Sequence, residues 1–389
     1  MQNNRALVLF VFLFLTAAAI CQQTEPRDLS LKAKDGTTLK ATFYPAAKSG
    51  PGVILLHQCN RDRKAWEPLA TALSNSGINV LTLDFRGYGE SQGERYLQLT
   101  ANEQGRWVRE VWPGDVDIAF DYLKSQPNVK HDQLGAGGSS CGVNQSIHLA
   151  MRHPEVRSLA LLSGTTDHAG RKFLASARHL PILMAAAEDD GLTVSEMKWQ
   201  MTYSPQEQNR FIQYKEGGHG SDLFKPHPDI LSNVTDWFGM TLAGKKVNFT
   251  AGGPVAPDDN VRYWKMFDEP GGALKAMRML EQTRKSDPAA TIIPEAMVNQ
   301  IGYERIQEND VAGAIEIFRL NTLQFPKSAN AYDSLGDAYL AAGQKELARE
   351  NAEKAIAALP DDASAATEAR RKAIRDSAEQ KLKAIAAVK

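Results

Sequence analysis

An α/β fold built on a mostly parallel sheet, with helices on both faces and an all-α domain at its C-terminal end, is what this 389-residue sequence predicts. Three observations lead there. Short, mostly apolar runs alternate with helix-period segments through residues 28–243. Glycine and proline then interrupt residues 244–290. Finally, a 34-residue spacing recurs within residues 291–389.

Strands are expected at 39–44, 52–57 (GVILLH), 79–84 (NVLTLD), 134–138, 158–163 (SLALLS), 181–187 (PILMAAA) and 210–214. Runs this uniformly apolar suit strands buried on both faces. Helical patterns fall between them at 65–76, 116–125, 140–153, 194–202 and 228–238. Alternation of this kind implies right-handed crossovers and a covered parallel sheet. Gly252, Gly253, Pro254, Pro257, Pro270, Gly271 and Gly272 make residues 244–290 a linker with room for one helix at 272–285.

Gly302 and Gly336 lie 34 residues apart, as do Ala314 and Ala348, and Pro326 and Pro360. Tyr332, Leu335, Tyr339 and Ala355 complete a pattern that resembles tetratricopeptide repeats, in which small residues let paired helices approach and proline ends each unit. Residues 363–389 read as a capping helix. An ordinary helical bundle is the alternative. Such repeats imply a protein partner.

The first 21 residues read as a signal peptide. Arg5 precedes an apolar run at 7–15, and Ala17, Ala18 and Ala19 supply a cleavage site. Export, periplasmic or secreted, is expected; an uncleaved anchor or lipidation at Cys21 are the alternatives. The net charge of −1 gives no bulk attraction to nucleic acid or an anionic membrane. Two cysteines remain, Cys59 and Cys141, too few for a disulfide scaffold.

The chemistry centres on Gly138-Ser139-Ser140-Cys141-Gly142. A strand pattern precedes it and a helix pattern follows, the context in which a sharp turn exposes a nucleophilic serine. Only Ser140 has glycine two residues away on both sides; Ser139 and Cys141 fail that test. A serine hydroxyl needs a base, and the base needs an acid to steady it. The strand at 181–187 ends in Glu188-Asp189-Asp190, of which Asp190 is the preferred acid. The strand at 210–214 leads to Gly217-Gly218-His219-Gly220, a glycine-rich loop suited to the base. His227 is the weaker candidate.

The segments LLHQ (55–58), DFRGYGES (84–91), GSSCG (138–142) and GGHG (217–220), together with Asp190, resemble the α/β-hydrolase superfamily, above all its dienelactone-hydrolase-like and serine-aminopeptidase-like members. The resemblance implies hydrolysis of an ester, thioester, lactone or peptide, with no cofactor and no metal. It also implies an oxyanion hole of backbone N–H groups from Cys141 and from Cys59 or Gln58. Two backbones converging on one oxygen would bring the Cys59 and Cys141 Cα atoms near the ~4.4–6.8 Å of a disulfide. The aromatic residues Tyr96, Trp107 and Trp112 either line the pocket or pack on the surface. The competing expectation is a non-catalytic binding protein that keeps the scaffold and works through its repeats.

Overall fold

The computed structural model describes residues 25–387. The expected signal peptide at 1–21, with Cys21, lies outside them. Among the described residues no helix is long and apolar enough to cross a membrane.

Eight strands form one sheet: β1 (Arg27–Lys32), β2 (Thr38–Tyr44), β3 (Gly50–Leu56), β4 (Asn79–Leu83), β5 (Val129–Ser139), β6 (Val156–Leu162), β7 (Ile182–Ala187) and β8 (Arg210–Tyr214). Their spatial order is β1-β2-β4-β3-β5-β6-β7-β8. β1 pairs antiparallel with β2, and β2 with β4. Every other pairing is parallel. β3, β4 and β7 are buried along their whole length, which explains their largely apolar sequence; Asn79 and Thr82 of β4 are the polar exceptions. β1 was not expected. It is an edge strand, RDLSLK, of which only Leu29 and Leu31 are half-buried.

The helices of this layer are α1 (Glu67–Asn75), α2 (Ala101–Arg106), α3 (Trp112–Ser125), α4 (Cys141–Arg152), α5 (His168–Ser176), α6 (Thr193–Met201) and α7 (Asp229–Thr241). α5 was also unforeseen. It is nine residues long and starts on an Asp167 side chain that accepts from Gly170 N. The two faces of the sheet support separate apolar cores. One is rich in Trp112, Phe120 and Ile147, the other in Trp66, Trp237 and Phe238.

Beyond residue 243 lie α8 (Asp259–Met266), α9 (Gly272–Arg284), α10 (Glu295–Gln307), α11 (Val311–Gln324), α12 (Ala329–Ala341), α13 (Lys345–Ala358) and α14 (Glu368–Ala387). The segment read as a linker thus holds two helices rather than one. α10 and α12 begin 34 residues apart, as do α11 and α13. The sequence period is therefore the period of a helical hairpin.

This helical part packs against the sheet layer. Trp199 of α6 is buried in one cluster with Trp264, Leu280, Met297 and Ile301. A ring of this size removes roughly 150–250 Å² from water, an upper bound of about 4–6 kcal/mol in transfer free energy. The Arg171 guanidinium stacks 3.9 Å from the Trp199 ring centre and bonds Glu304 at 2.7 Å. His168 meets Glu308 at 2.5 Å.

Candidate active site

β5 runs without a break into Ser140, and α4 starts at the next residue. Ser140 has φ 54° and ψ −120°, a backbone state that costs a non-glycine residue on the order of 1–3 kcal/mol. The flanking glycines are a steric necessity. A Cβ on Gly138 would collide with the Gly142 carbonyl, and one on Gly142 would collide with the Leu56 carbonyl at the end of β3. The helix terminus therefore sits directly on the strand that leads into the proposed oxyanion loop.

The two rival nucleophiles have other roles. Ser139 is fully buried, and its hydroxyl donates to Gln58 Oε1 at 2.9 Å. Cys141 is bonded to Cys59 in a disulfide with a Cα–Cα separation of 5.8 Å, so it carries no thiol. Ser140 is half-exposed, and its hydroxyl forms no hydrogen bond among the described residues. Catalytic hydrogen bonds often close only around substrate.

Asp190 and His219 are in contact. His219 Nδ1 lies 2.7 Å from Asp190 Oδ2. This bond raises the His219 pKa above its ordinary value near 6.5, and burial opposes the shift. Each neighbouring candidate is engaged elsewhere. Asp189 accepts from Gly217 N and Gly218 N at 3.0 and 3.1 Å, which braces the histidine loop. Glu188 pairs with Lys215 and Gln213. His227 stacks on Tyr214 at 4.0 Å and meets Glu216 O at 2.6 Å. Glu196 of α6 is half-buried nearby, and its carboxyl is pushed up first by burial and then by Asp190.

Gln58 ties these loops together. Its fully buried side chain accepts from Ser139 Oγ, from Ser221 N at 2.8 Å and from Ser221 Oγ at 2.9 Å. It also donates to the His219 carbonyl at 3.3 Å and to Asn60 at 2.8 Å. A Cβ on Gly220 would collide with Ser139 Oγ, so the segment after the histidine abuts the elbow. His57 has a bracing place. Its Nδ1 donates to Gln58 O at 2.7 Å, while Nε2 accepts from Phe85 N at 3.0 Å. That arrangement requires a neutral ring, and burial lowers its pKa accordingly. The backbone N–H groups of Gln58, Cys59 and Cys141 have no hydrogen-bond partner among the described residues.

Sequence reasoning missed the buried hub beneath this loop. Asp84, at the end of β4, pairs with Arg63 at 2.5 Å and accepts from Arg63 N and Glu90 N at 2.7 and 2.9 Å. Tyr88 donates to Cys59 O at 2.6 Å. The available signal was an aspartate closing an otherwise apolar strand. Tyr96, Trp107 and Trp112 do not pack on the surface: all three are buried in the core, and Trp112 stacks on Phe85 at 4.6 Å between ring centres.

Residues 51–176 match the family described as alpha/beta hydrolase fold. Among curated proteins, the uncharacterized protein Rv2307c of Mycobacterium tuberculosis is 25% identical over 215 residues, which is 50% of this chain and 72% of that protein. The polyketide transferase grgF of a Penicillium species is 28% identical over 168 residues, 43% of this chain and 53% of the transferase. Among solved structures, the dienelactone hydrolase of Anabaena variabilis superposes with a TM-score of 0.45 at 18% identity, covering 57% of this chain and 99% of that one. With the matched family segment, the eight-stranded mostly parallel sheet and its covering helices, the N-terminal part of this chain has the alpha/beta hydrolase fold.

Proposed function

We propose that this protein is an exported serine hydrolase that cleaves carboxylic esters through an acyl-enzyme on Ser140. The observation that carries the reading is the Asp190–His219 hydrogen bond at the same sheet edge as a serine held on a positive-φ turn.

In this reading Ser140 Oγ attacks the acyl carbonyl and passes its proton to His219 Nε2. Asp190 keeps Nδ1–H oriented and stabilises the imidazolium that forms. Charge on the carbonyl oxygen is met by the N–H groups of Cys141 and Cys59, with Gln58 N as the alternative donor. In other enzymes, losing one such donor slows turnover by roughly 10²–10³. His219 then protonates the departing alcohol, and water repeats the sequence to release the acid. Thioesters, lactones and peptides share the tetrahedral intermediate and are secondary candidates. The disulfide supports export, because such bonds persist in oxidising compartments.

The test is a panel of p-nitrophenyl esters and aminoacyl-nitroanilides assayed with wild type and Ser140→Ala. Ester turnover that falls at least 10³-fold in the variant supports the reading. Turnover indifferent to Ser140→Ala ends it.

A further inference from the structure

The Cys59–Cys141 disulfide joins two segments whose backbone N–H groups at these residues have no hydrogen-bond partner among the described residues. We propose that it is a positioning strut of the oxyanion hole, so that turnover depends on its remaining oxidised. The inference rests on the serine-hydrolase reading above and deepens it.

Three observations support it. First, Cys141 is the first residue of α4, and Cys59 belongs to the loop after β3. The bond therefore couples two separately built elements at the point where both N–H groups would meet one oxygen. Second, neither N–H has a partner among the described residues. Third, the loop carrying Cys59 has no strand or helix of its own. Apart from one turn in which Arg61 N donates to Gln58 O, it is fastened by side chains, among them Gln58 on Ser139, His57 on the Gln58 carbonyl and Tyr88 on the Cys59 carbonyl. Both cysteines are half-buried, so a small reductant can reach them. Their role differs from the usual one, in which a disulfide mainly restricts the unfolded chain.

Reduction by a dithiol proceeds in two exchanges. A reductant thiolate attacks one sulfur, breaks the S–S bond and forms a mixed disulfide. The displaced cysteine leaves as thiolate and takes a proton. The second reductant thiol then closes the reductant into a cyclic disulfide and releases the other cysteine. Two electrons and two protons pass to the protein. The two thiols then relax to van der Waals contact, which moves the loop against the helix terminus by on the order of 1 Å. A misplacement of that size costs roughly 10²-fold in rate.

The experiment uses the full chain, p-nitrophenyl butyrate and dithiothreitol. Thiols are titrated before and after reduction, and secondary structure is followed by circular dichroism at the assay temperature. The strut requires kcat to fall 10- to 100-fold on reduction, KM to change less than about threefold, and reoxidation to restore both. The variant Cys59→Ala/Cys141→Ala should sit at the reduced level and ignore dithiothreitol. Its Ser140 should still take a fluorophosphonate label, more slowly. An oxidised protein that labels but keeps its kcat on reduction overturns the strut alone. Loss of the helical signal on reduction overturns it too, because the bond would then be holding the fold. Absence of label on the oxidised protein overturns the serine reading, and the strut with it.

Discussion

Gln58 Oε1 accepts a hydrogen bond from Ser139 Oγ at 2.9 Å, tying the residue before the elbow serine to the loop on the opposite side of the site. The same oxygen accepts from both Ser221 N and Ser221 Oγ. Replacing it with the similarly sized but apolar Leu leaves the buried Ser139 hydroxyl unpaired, at roughly 1–3 kcal/mol, and releases the two donors of half-buried Ser221, which water can reach at smaller cost. Gln58→Leu should therefore lower stability by about 2–4 kcal/mol in urea unfolding and reduce kcat through the misplaced His219 loop. An unchanged midpoint would show that the clamp carries no weight.

The pH dependence follows from His219. Asp190 raises its pKa, which favours the protonated ring. A general base must be neutral, so kcat/KM should rise with pH through an apparent pKa above 6.5. Asp190→Asn removes the first cause of that shift. Its residual activity should be lower throughout, with the rising limb displaced to lower pH. A limb at or above the wild-type position in the variant would assign the titration to another group.

How much of this was legible follows physical lines. The elbow was readable because its glycines are demanded by collisions with Gly142 and Leu56, which no side chain can avoid. The meeting of Asp190 and His219 was foreseeable because each lies in a loop just past the end of a strand, β7 and β8, that are neighbours in the sheet. The cysteine pair was only a conditional expectation, which assumed that both residues supply N–H groups to one oxygen and left two separate thiols as the alternative; the structure shows the bond. What stayed hidden depends on pairing across long separations. β1 is an exposed edge strand with only two half-buried leucines. α5 gains its place from Arg171 and His168, whose partners Glu304 and Glu308 lie more than a hundred residues away.

That docking network supplies a third test. Arg171 is buried between Glu304, the Trp199 ring and Asp268, whose two carboxyl oxygens have no hydrogen bond among the described residues. Arg171→Leu takes a cation from two buried carboxylates, leaving Glu304 with Gln300 at 3.1 Å and Asp268 with His168 at 3.5 Å and Arg305 at 3.9 Å, and should destabilise the chain by roughly 3–5 kcal/mol. Adding Glu304→Leu should recover part of the loss by removing one of them. Equal stabilities for the single and double variants would contradict the pairing.

The two repeat glycines are not equivalent. A Cβ at Gly302 would strike the Phe318 ring, whereas one at Gly336 would meet its nearest neighbours at an ordinary 3.5 Å. Gly302→Ala should cost about 1–3 kcal/mol through overpacking. Gly336→Ala should be neutral or add up to about 1 kcal/mol from helix propensity. Thermal unfolding of the two variants separates them, and the reverse order would refute this packing.

The most direct measurement is peptide mass spectrometry after treatment with a fluorophosphonate, which captures a serine only when an adjacent base activates it. A serine activated by His219 gives one adduct, on Ser140, absent in Ser140→Ala and slowed by orders of magnitude in His219→Ala. An unmodified Ser140 in folded, oxidised protein, or label that persists in Ser140→Ala, would contradict it.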